Sequence, residues 1–452
     1  MEKGNVKVYV TIAILLFAAV ATLLMGAGSY SSSGQNDGII IDFGGYDTEW
    51  TSIDLSDDPD AMSALEYACG EKGYALAVSD GVVISIKGLP DGPSDRSWSL
   101  WVVEKGNTDW RKITSAPDDV AMSQYSAVAW ALCSEDGSPT VPGVDQTGVN
   151  FYGHSDIRSI VTLAPSVTET ACAVGGTNMI IGADLYSNYP SSIAEGISSG
   201  DIAVTGGFTN PNFEIVLKLD PDMVLCDGSQ ATHRTIANKL RNAGINVVVL
   251  YAGESIDTMY NNTYITGTAL NFDIGKKVVI ESIQNGIDEV ISDMNQFIVY
   301  PKDMMISLSA VKSPWTSGSD TYINDISRTV YGVNVFSDLT GWQMVNSEMI
   351  IKASPEVIIV VSSEYSATEE DYNALIKSLS EGWNYIGAEV YLICESAADL
   401  TSRPGPRLAQ VTELMGRILH GTSFTVDTNL PYYIGNDYAN YLTFTKDLGF
   451  DR

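Results

Sequence analysis

Apolar and polar positions follow different periods along this chain, and the changes of period mark its parts. Residues 8–28 are almost wholly apolar, with Glu2, Lys3 and Lys7 before them and a Ser/Gly stretch after them. A run of about 20 apolar residues fits a transmembrane helix or a long signal sequence. It exceeds a usual signal core of roughly 7–15 residues, which favours an uncleaved anchor within 1–28. Lys3 and Lys7 would stay on the cytoplasmic side, leaving the body of the protein outside, anchored or secreted. Residues 29–38 read as a linker. Short alternating runs at 39–43, 82–86, 98–103, 110–113 and 125–133 then read as strands, and 60–72 places Ala61, Ala64, Leu65 and Ala68 on one helical face. These elements predict a small N-terminal α+β domain over 39–135, and the Gly/Pro/Ser-rich stretch 136–156 reads as a second linker.

From Ile157 the pattern changes to continuous aliphatic runs alternating with helical turns, as parallel strands crossed by helices require. One unit occurs twice. Asn212, Glu214, Ile215, Val216, Leu217, Lys218 and Pro221 lead into the aliphatic run 221–225. Asn346, Glu348, Met349, Ile350, Ile351, Lys352 and Pro355 lead into 355–360, with every landmark 134 positions later. Each Asn is a good N-cap, each Glu suits the first turn of a helix, and each Pro bars the helix from continuing. A unit built twice at near the roughly 100–150 residues of a typical domain points to two similar lobes. The stretch 274–296 between them reads as one long helix.

Composition narrows the function. A hydrophobic content of 45% indicates a globular chain, and a net charge of −31 repels nucleic acid at long range. The five cysteines, Cys69, Cys133, Cys172, Cys226 and Cys394, are too widely spaced for a zinc site or a dense disulfide framework. Cys69 and Cys133 could pair within the first domain in an oxidising exterior, the alternative being buried free thiols. His154, His233 and His420 lie far apart and form no metal-binding pair. None lies beside a Gly-x-Ser-x-Gly elbow, and no Gly-x-x-x-x-Gly-Lys loop occurs, so neither triad hydrolysis nor phosphate-loop chemistry is indicated. No enzyme and no catalytic cofactor are expected.

The ordered pieces from Ile157 to about His420 carry a resemblance. They are the run from Leu163 through Ala-Pro-Ser-Val-Thr to Glu169, the run from Gly182 to Asn188-Tyr189-Pro190, the two half-repeats, the long helix, Trp315-Thr-Ser-Gly318, and Arg403-Pro-Gly-Pro-Arg407. In that order they resemble the substrate-binding proteins of cobalamin, siderophore and haem ABC importers, and look closest to the cobalamin binders. The likeness implies an α/β fold of two Rossmann-like lobes, 157–255 and 301–420, bridged by a helix region over 256–300, with 421–452 as a C-terminal tail. It implies an extracytoplasmic binder of cobalamin or a related corrinoid that delivers its ligand to an ABC permease and its ATPase. The alternatives are a haem or iron-siderophore binder of the same family, or a surface adhesin.

By the same resemblance Tyr189, Phe208, Trp315 and Trp342 are candidate ligand contacts, with Asp399 and Arg403 as polar partners tethered at i,i+4. Glu214 and Glu348 are candidate docking acids for permease arginines. The family's large aromatic is missing around Cys226-Asp227-Gly228. Trp383, ahead of an aliphatic run, reads as core. The first domain is similar to the small domain ending transcobalamin and intrinsic factor, through the 60–73 helix with Leu65-Glu66, the run Val83 to Gly88, Trp98, Trp101 and Ala129-Trp130. That likeness leaves it a role in corrinoid capture or as a spacer.

Overall fold

The computed structural model describes residues 37–448 except 93, 310–311 and 384–386. The anchor expected within 1–28 and most of the 29–38 linker lie outside the described residues. Among the described residues no helix is long and apolar enough to cross a membrane.

The first sheet is built from β1 (Gly38–Gly44), β2 (Asp47–Ser52), β5 (Arg96–Glu104), β6 (Trp110–Lys112) and β7 (Tyr125–Ser134), while β3 (Leu76–Ser79) and β4 (Val82–Ile86) form a separate hairpin. Its order is β2-β1-β7-β5-β6, with β1 and β7 parallel and the other pairs antiparallel. The helix Ala61–Lys72 begins where the Asp60 carboxylate accepts the amides of Met62 and Ser63. Its predicted apolar face packs with Ile39, Ile41, Trp98, Val102 and Trp130. Successive side chains of a strand point to opposite faces. On β7, Val128, Trp130 and Leu132 meet the helix while Ala131 and Cys133 turn to the other side. Cys69 lies with the helix layer, so it and Cys133 are both buried free thiols rather than a disulfide.

Residues 136–156 connect this sheet to the rest, but not as the free tether their composition suggests. The Asp42 carboxylate accepts the Thr140 amide, the Trp110 indole donates to the Val141 carbonyl, and Val141, Val144, Phe151 and Tyr152 are buried. Further on, the Gln146 amide donates to the Val249 carbonyl and the Asp145 carboxylate accepts the Val249 amide and pairs with Arg241 at 2.7 Å. The stretch is a strap bonded on both sides. An aromatic set completes the junction: Tyr46 packs edge-on to Tyr260, Trp50 stacks near Tyr152, and Thr48 shares a 2.6 Å hydrogen bond with the Tyr264 hydroxyl.

Two all-parallel sheets follow, as the long aliphatic runs require. The first joins β8 (Ile160–Thr162), β9 (Ile180–Ala183), β10 (Ala203–Val204), β13 (Met223–Asp227) and β14 (Asn246–Leu250) in the order β10-β9-β8-β13-β14, with a small hairpin of β11 (Gly206–Gly207) and β12 (Asn210–Pro211). The second joins β15 (Lys302–Ser307), β17 (Gly332–Asn334), β19 (Val357–Val361), β20 (Glu389–Ile393) and β21 (Tyr433–Ile434) in the order β17-β15-β19-β20-β21, with a ribbon of β16 (Trp315–Ser317) and β18 (Trp342–Met344). The duplicated half-unit occupies equivalent places. β13 pairs with the first strand of its lobe, β8, and β19 with the first strand of its own, β15. The preceding helices, Phe213–Leu219 and Ser347–Ala353, are capped by Asn212 and Asn346 and both end on a left-handed residue, Asp220 and Ser354, ahead of the prolines.

Helices Ile256–Ala269 and Asp273–Met294 join the lobes, the second matching the expected long helix within two residues at its C-terminal end. Residues 421–448 are not a loose tail. β21 extends the second sheet, and the buried Glu413 carboxylate accepts the amides of Thr443, Phe444 and Thr445. Trp383 is buried, as expected.

Candidate functional site

All strands of a parallel sheet end on the same side, and the loops after them define the crevice of such a fold. In the first lobe β9 runs into the loop 184–190. Asp184 turns this loop by accepting the Tyr186 amide, and burial raises the Asp184 carboxyl above its ordinary range. Tyr186 is 58% exposed beside an equally exposed Leu185. Tyr189 is half-buried, and the guanidinium carbon of Arg407 lies 4.1 Å over its ring, so one face of this candidate is covered. Phe208, at the turn between β11 and β12, is half-buried and packs edge-on to the His233 ring at 5.5 Å.

In the second lobe the β16–β18 ribbon stands at the end of β15, joined by the Leu308 amide to the Trp315 carbonyl and by the Thr316 hydroxyl to the Ile306 carbonyl. Trp315 pairs with Met344, and Trp342, two residues earlier, shares that face of the ribbon. Trp315 is 48% exposed, Met344 is also exposed, and Trp342 is half-buried. Asp399 lies on the helix Glu395–Ser402 after β20, at the same edge of the sheet.

The two lobes meet through a polar junction at this level. Arg403 pairs with Asp399 at 2.8 Å in the expected i,i+4 tether. It also donates to Glu169 at 3.0 Å, to the Asn188 side chain at 2.6 Å and to the Tyr186 carbonyl, all on the first lobe. Asn188 completes the ring by donating to Asp399 at 2.8 Å. Arg407 grips Glu169 with two further bonds, at 2.8 and 2.7 Å. Burial penalises the Arg407 charge, but the attraction of Glu169 outweighs it and holds the guanidinium above its ordinary value. Arg403 is thus enclosed, with 9% of its side chain exposed, whereas Asp399 keeps 35% and remains accessible.

Glu214 and Glu348 are both exposed in the first turns of the duplicated helices. Each has an exposed aliphatic three residues on, Leu217 and Ile351. They are not part of the polar junction.

Sequence reasoning assigned no role to Glu169, Tyr186, Asn188, His233 or Arg407. The signal available was the pair of arginines flanking Pro-Gly-Pro, since two guanidiniums at the start of an apolar helix require a carboxylate that is distant in sequence. His233 is fully buried, its Nδ1 accepting the Asp227 amide at 3.0 Å and its Nε2 lying 2.6 Å from the Phe208 carbonyl. Burial pushes it below the ordinary value of 6.5, against a smaller upward pull from Phe208 and Asp227. At Cys226-Asp227-Gly228 a side chain on Gly228 would collide with Gln146 of the strap, so the strap fills that place.

Comparison with known proteins agrees with this architecture. A family model described as "Periplasmic binding protein" matches residues 160–385, half of the chain. An uncharacterised ABC transporter substrate-binding lipoprotein of Bacillus subtilis is 25% identical over 270 residues, covering 59% of this chain and 81% of its own. A cobalamin-binding protein of Halobacterium salinarum is 23% identical over 290 residues, covering 63% and 74%. A crystal structure of a periplasmic binding protein from Veillonella parvula superposes with a TM-score of 0.51 at 18% identity, covering 60% of this chain and 93% of that one.

Proposed function

The chain belongs to the periplasmic binding protein family, and from that premise we propose that it carries cobalamin or another corrinoid to an ABC importer. It is an extracytoplasmic substrate-binding protein, not an enzyme, and needs no catalytic cofactor. The observation that carries the corrinoid reading is the apolar surface left open at the strand ends of both lobes. Leu185, Tyr186 and Phe208 stand on one side, and Trp315, Trp342 and Met344 on the other. A corrinoid has broad apolar faces and an amide-bearing rim. Asp399, still accessible, would accept from a rim amide, while Tyr189 and Arg403 would support the loops around it. An anionic iron chelate calls for free cations, and Arg403 and Arg407 are both committed to Glu169. The Halobacterium relative is named for the same ligand.

Glu214 and Glu348 would present the loaded carrier to the permease and its ATPase through carboxylate-arginine contacts, which are specific yet reversible when exposed. Residues 39–135, with their likeness to the transcobalamin end domain, would assist capture or hold the carrier off the membrane. A visible-absorbance titration of the intact chain with cyanocobalamin, run beside one with haemin, tests the ligand. Saturable uptake of cyanocobalamin is expected. Uptake of haemin alone moves the assignment to haem, and uptake of neither favours a surface adhesin.

A further inference from the structure

We infer that His233 is a positioning residue that fixes Phe208 at the crevice by tying the β11–β12 hairpin to the end of β13. The ring is bonded at both nitrogens. A carbonyl only accepts, so the 2.6 Å contact to Phe208 places the hydrogen on Nε2, which leaves Nδ1 free to accept the Asp227 amide at 3.0 Å. One neutral tautomer therefore serves both loops. The two rings also pack against each other in a T-shaped arrangement.

Beyond the packing of Phe208 against the apolar core, the hairpin is short. Each strand is two residues long, Gly206 adopts φ +112°, and the bonds from Leu185 to Gly206 and from Asn212 to Thr205 lie at its base. The imidazole is the tie at its turn. A second proton would sit on Nδ1 and face the Asp227 N–H, so the protonated ring cannot keep both bonds. Burial opposes that protonation, while the Asp227 carboxylate, at the end of β13, acts on the ring in its favour and only partly offsets the burial. Arg234, next on the ring's own helix, is bonded to the Gly228 carbonyl. The hairpin faces the ring with the Phe208 carbonyl, and Glu214 and Lys218 of the neighbouring helix are exposed to solvent. Acid should therefore loosen Phe208.

What Phe208 touches rests on the corrinoid reading; the tie itself does not. Two variants of the intact chain separate them: His233→Leu removes both bonds, and His233→Gln keeps an acceptor and a donor at similar spacing. Amide exchange without ligand should accelerate at residues 207–210 and at Asp227 in His233→Leu, and much less in His233→Gln. Unchanged exchange in His233→Leu overturns the inference. With cyanocobalamin as probe, affinity should fall about tenfold in His233→Leu and stay within about threefold in His233→Gln, as expected when a ligand-contacting side chain loses its pre-organisation. Wild-type affinity should weaken below about pH 6.5 while the His233→Gln curve stays flat. Equal weakening in both variants with parallel pH curves also overturns the inference. If the wild-type chain binds no cyanocobalamin, the ligand reading fails and the exchange result still decides the role of His233.

Discussion

Glu169 illustrates how one side chain fixes the relation of the lobes. Its carboxylate is almost wholly enclosed and receives Arg407 twice and Arg403 once. A buried pair of this kind adds little beyond an apolar substitute, yet removing one partner strands the other charge. Glu169→Gln should therefore lower unfolding free energy by about 3–5 kcal/mol, measured by urea denaturation. The histidines give a second expectation. Burial holds His154, His233 and His420 all below the ordinary 6.5. Below that value the unfolded chain binds more protons than the folded one, so their contribution is complete above about pH 6.5 and is lost as pH falls through it toward the folded values. The urea midpoint should hold steady on the neutral side and decline below about pH 6.5. Neither Glu169 nor His233 was assigned a role from sequence. A lone His carries no sequence sign of its partners, Glu169 was signalled only from the side of Arg403 and Arg407, and Tyr186 was passed over because, of the two tyrosines in the resembling loop, only Tyr189 matched a ligand-contacting position.

At the level of elements, periodicity served where one face of an element decides its environment. The β4 strand emerged with its expected bounds, and the Ala61–Lys72 and Asp273–Met294 helices within a residue or two at each end. β2 escaped because its Asp-Thr-Glu-Trp-Thr-Ser sequence is polar, and it is a strand through pairing with β1. The 136–156 and 421–452 stretches read as linker and tail because the order of 136–156 and of 421–448 comes in part from carboxylates elsewhere, Asp42 and Glu413 among them. The long Asp273–Met294 helix was legible, and with the Glu169 junction it leaves little freedom between the lobes. Small-angle scattering curves with and without cyanocobalamin should nearly superimpose, and a clear contraction on binding would contradict this stiffness.

For the whole molecule, the duplicated half-unit carries the most information. The 134-residue offset seen in sequence corresponds to β13 and β19 lying in equivalent positions, each preceded by an Asn-capped helix with an exposed glutamate. If these tips meet the permease, Glu214→Lys with Glu348→Lys should abolish corrinoid uptake by cells while equilibrium dialysis shows unchanged affinity. Lost affinity in the double variant would place the glutamates at the ligand instead. The sequence showed two lobes and their order, but not that the first domain is fastened through Thr48 and Tyr46 to Tyr264, on the first of the two helices that join them.

The strap also bears on how this chain avoids its own kind. The last strand of a parallel sheet is a template on which another chain can pair. Val249, within the outermost strand of the first lobe's sheet, has its amide taken by Asp145 and its carbonyl by Gln146. Asp145→Ala would uncover that edge and leave Arg241 without its carboxylate. Light scattering at rising concentration should then show self-association in the variant at concentrations where the wild-type chain stays monodisperse.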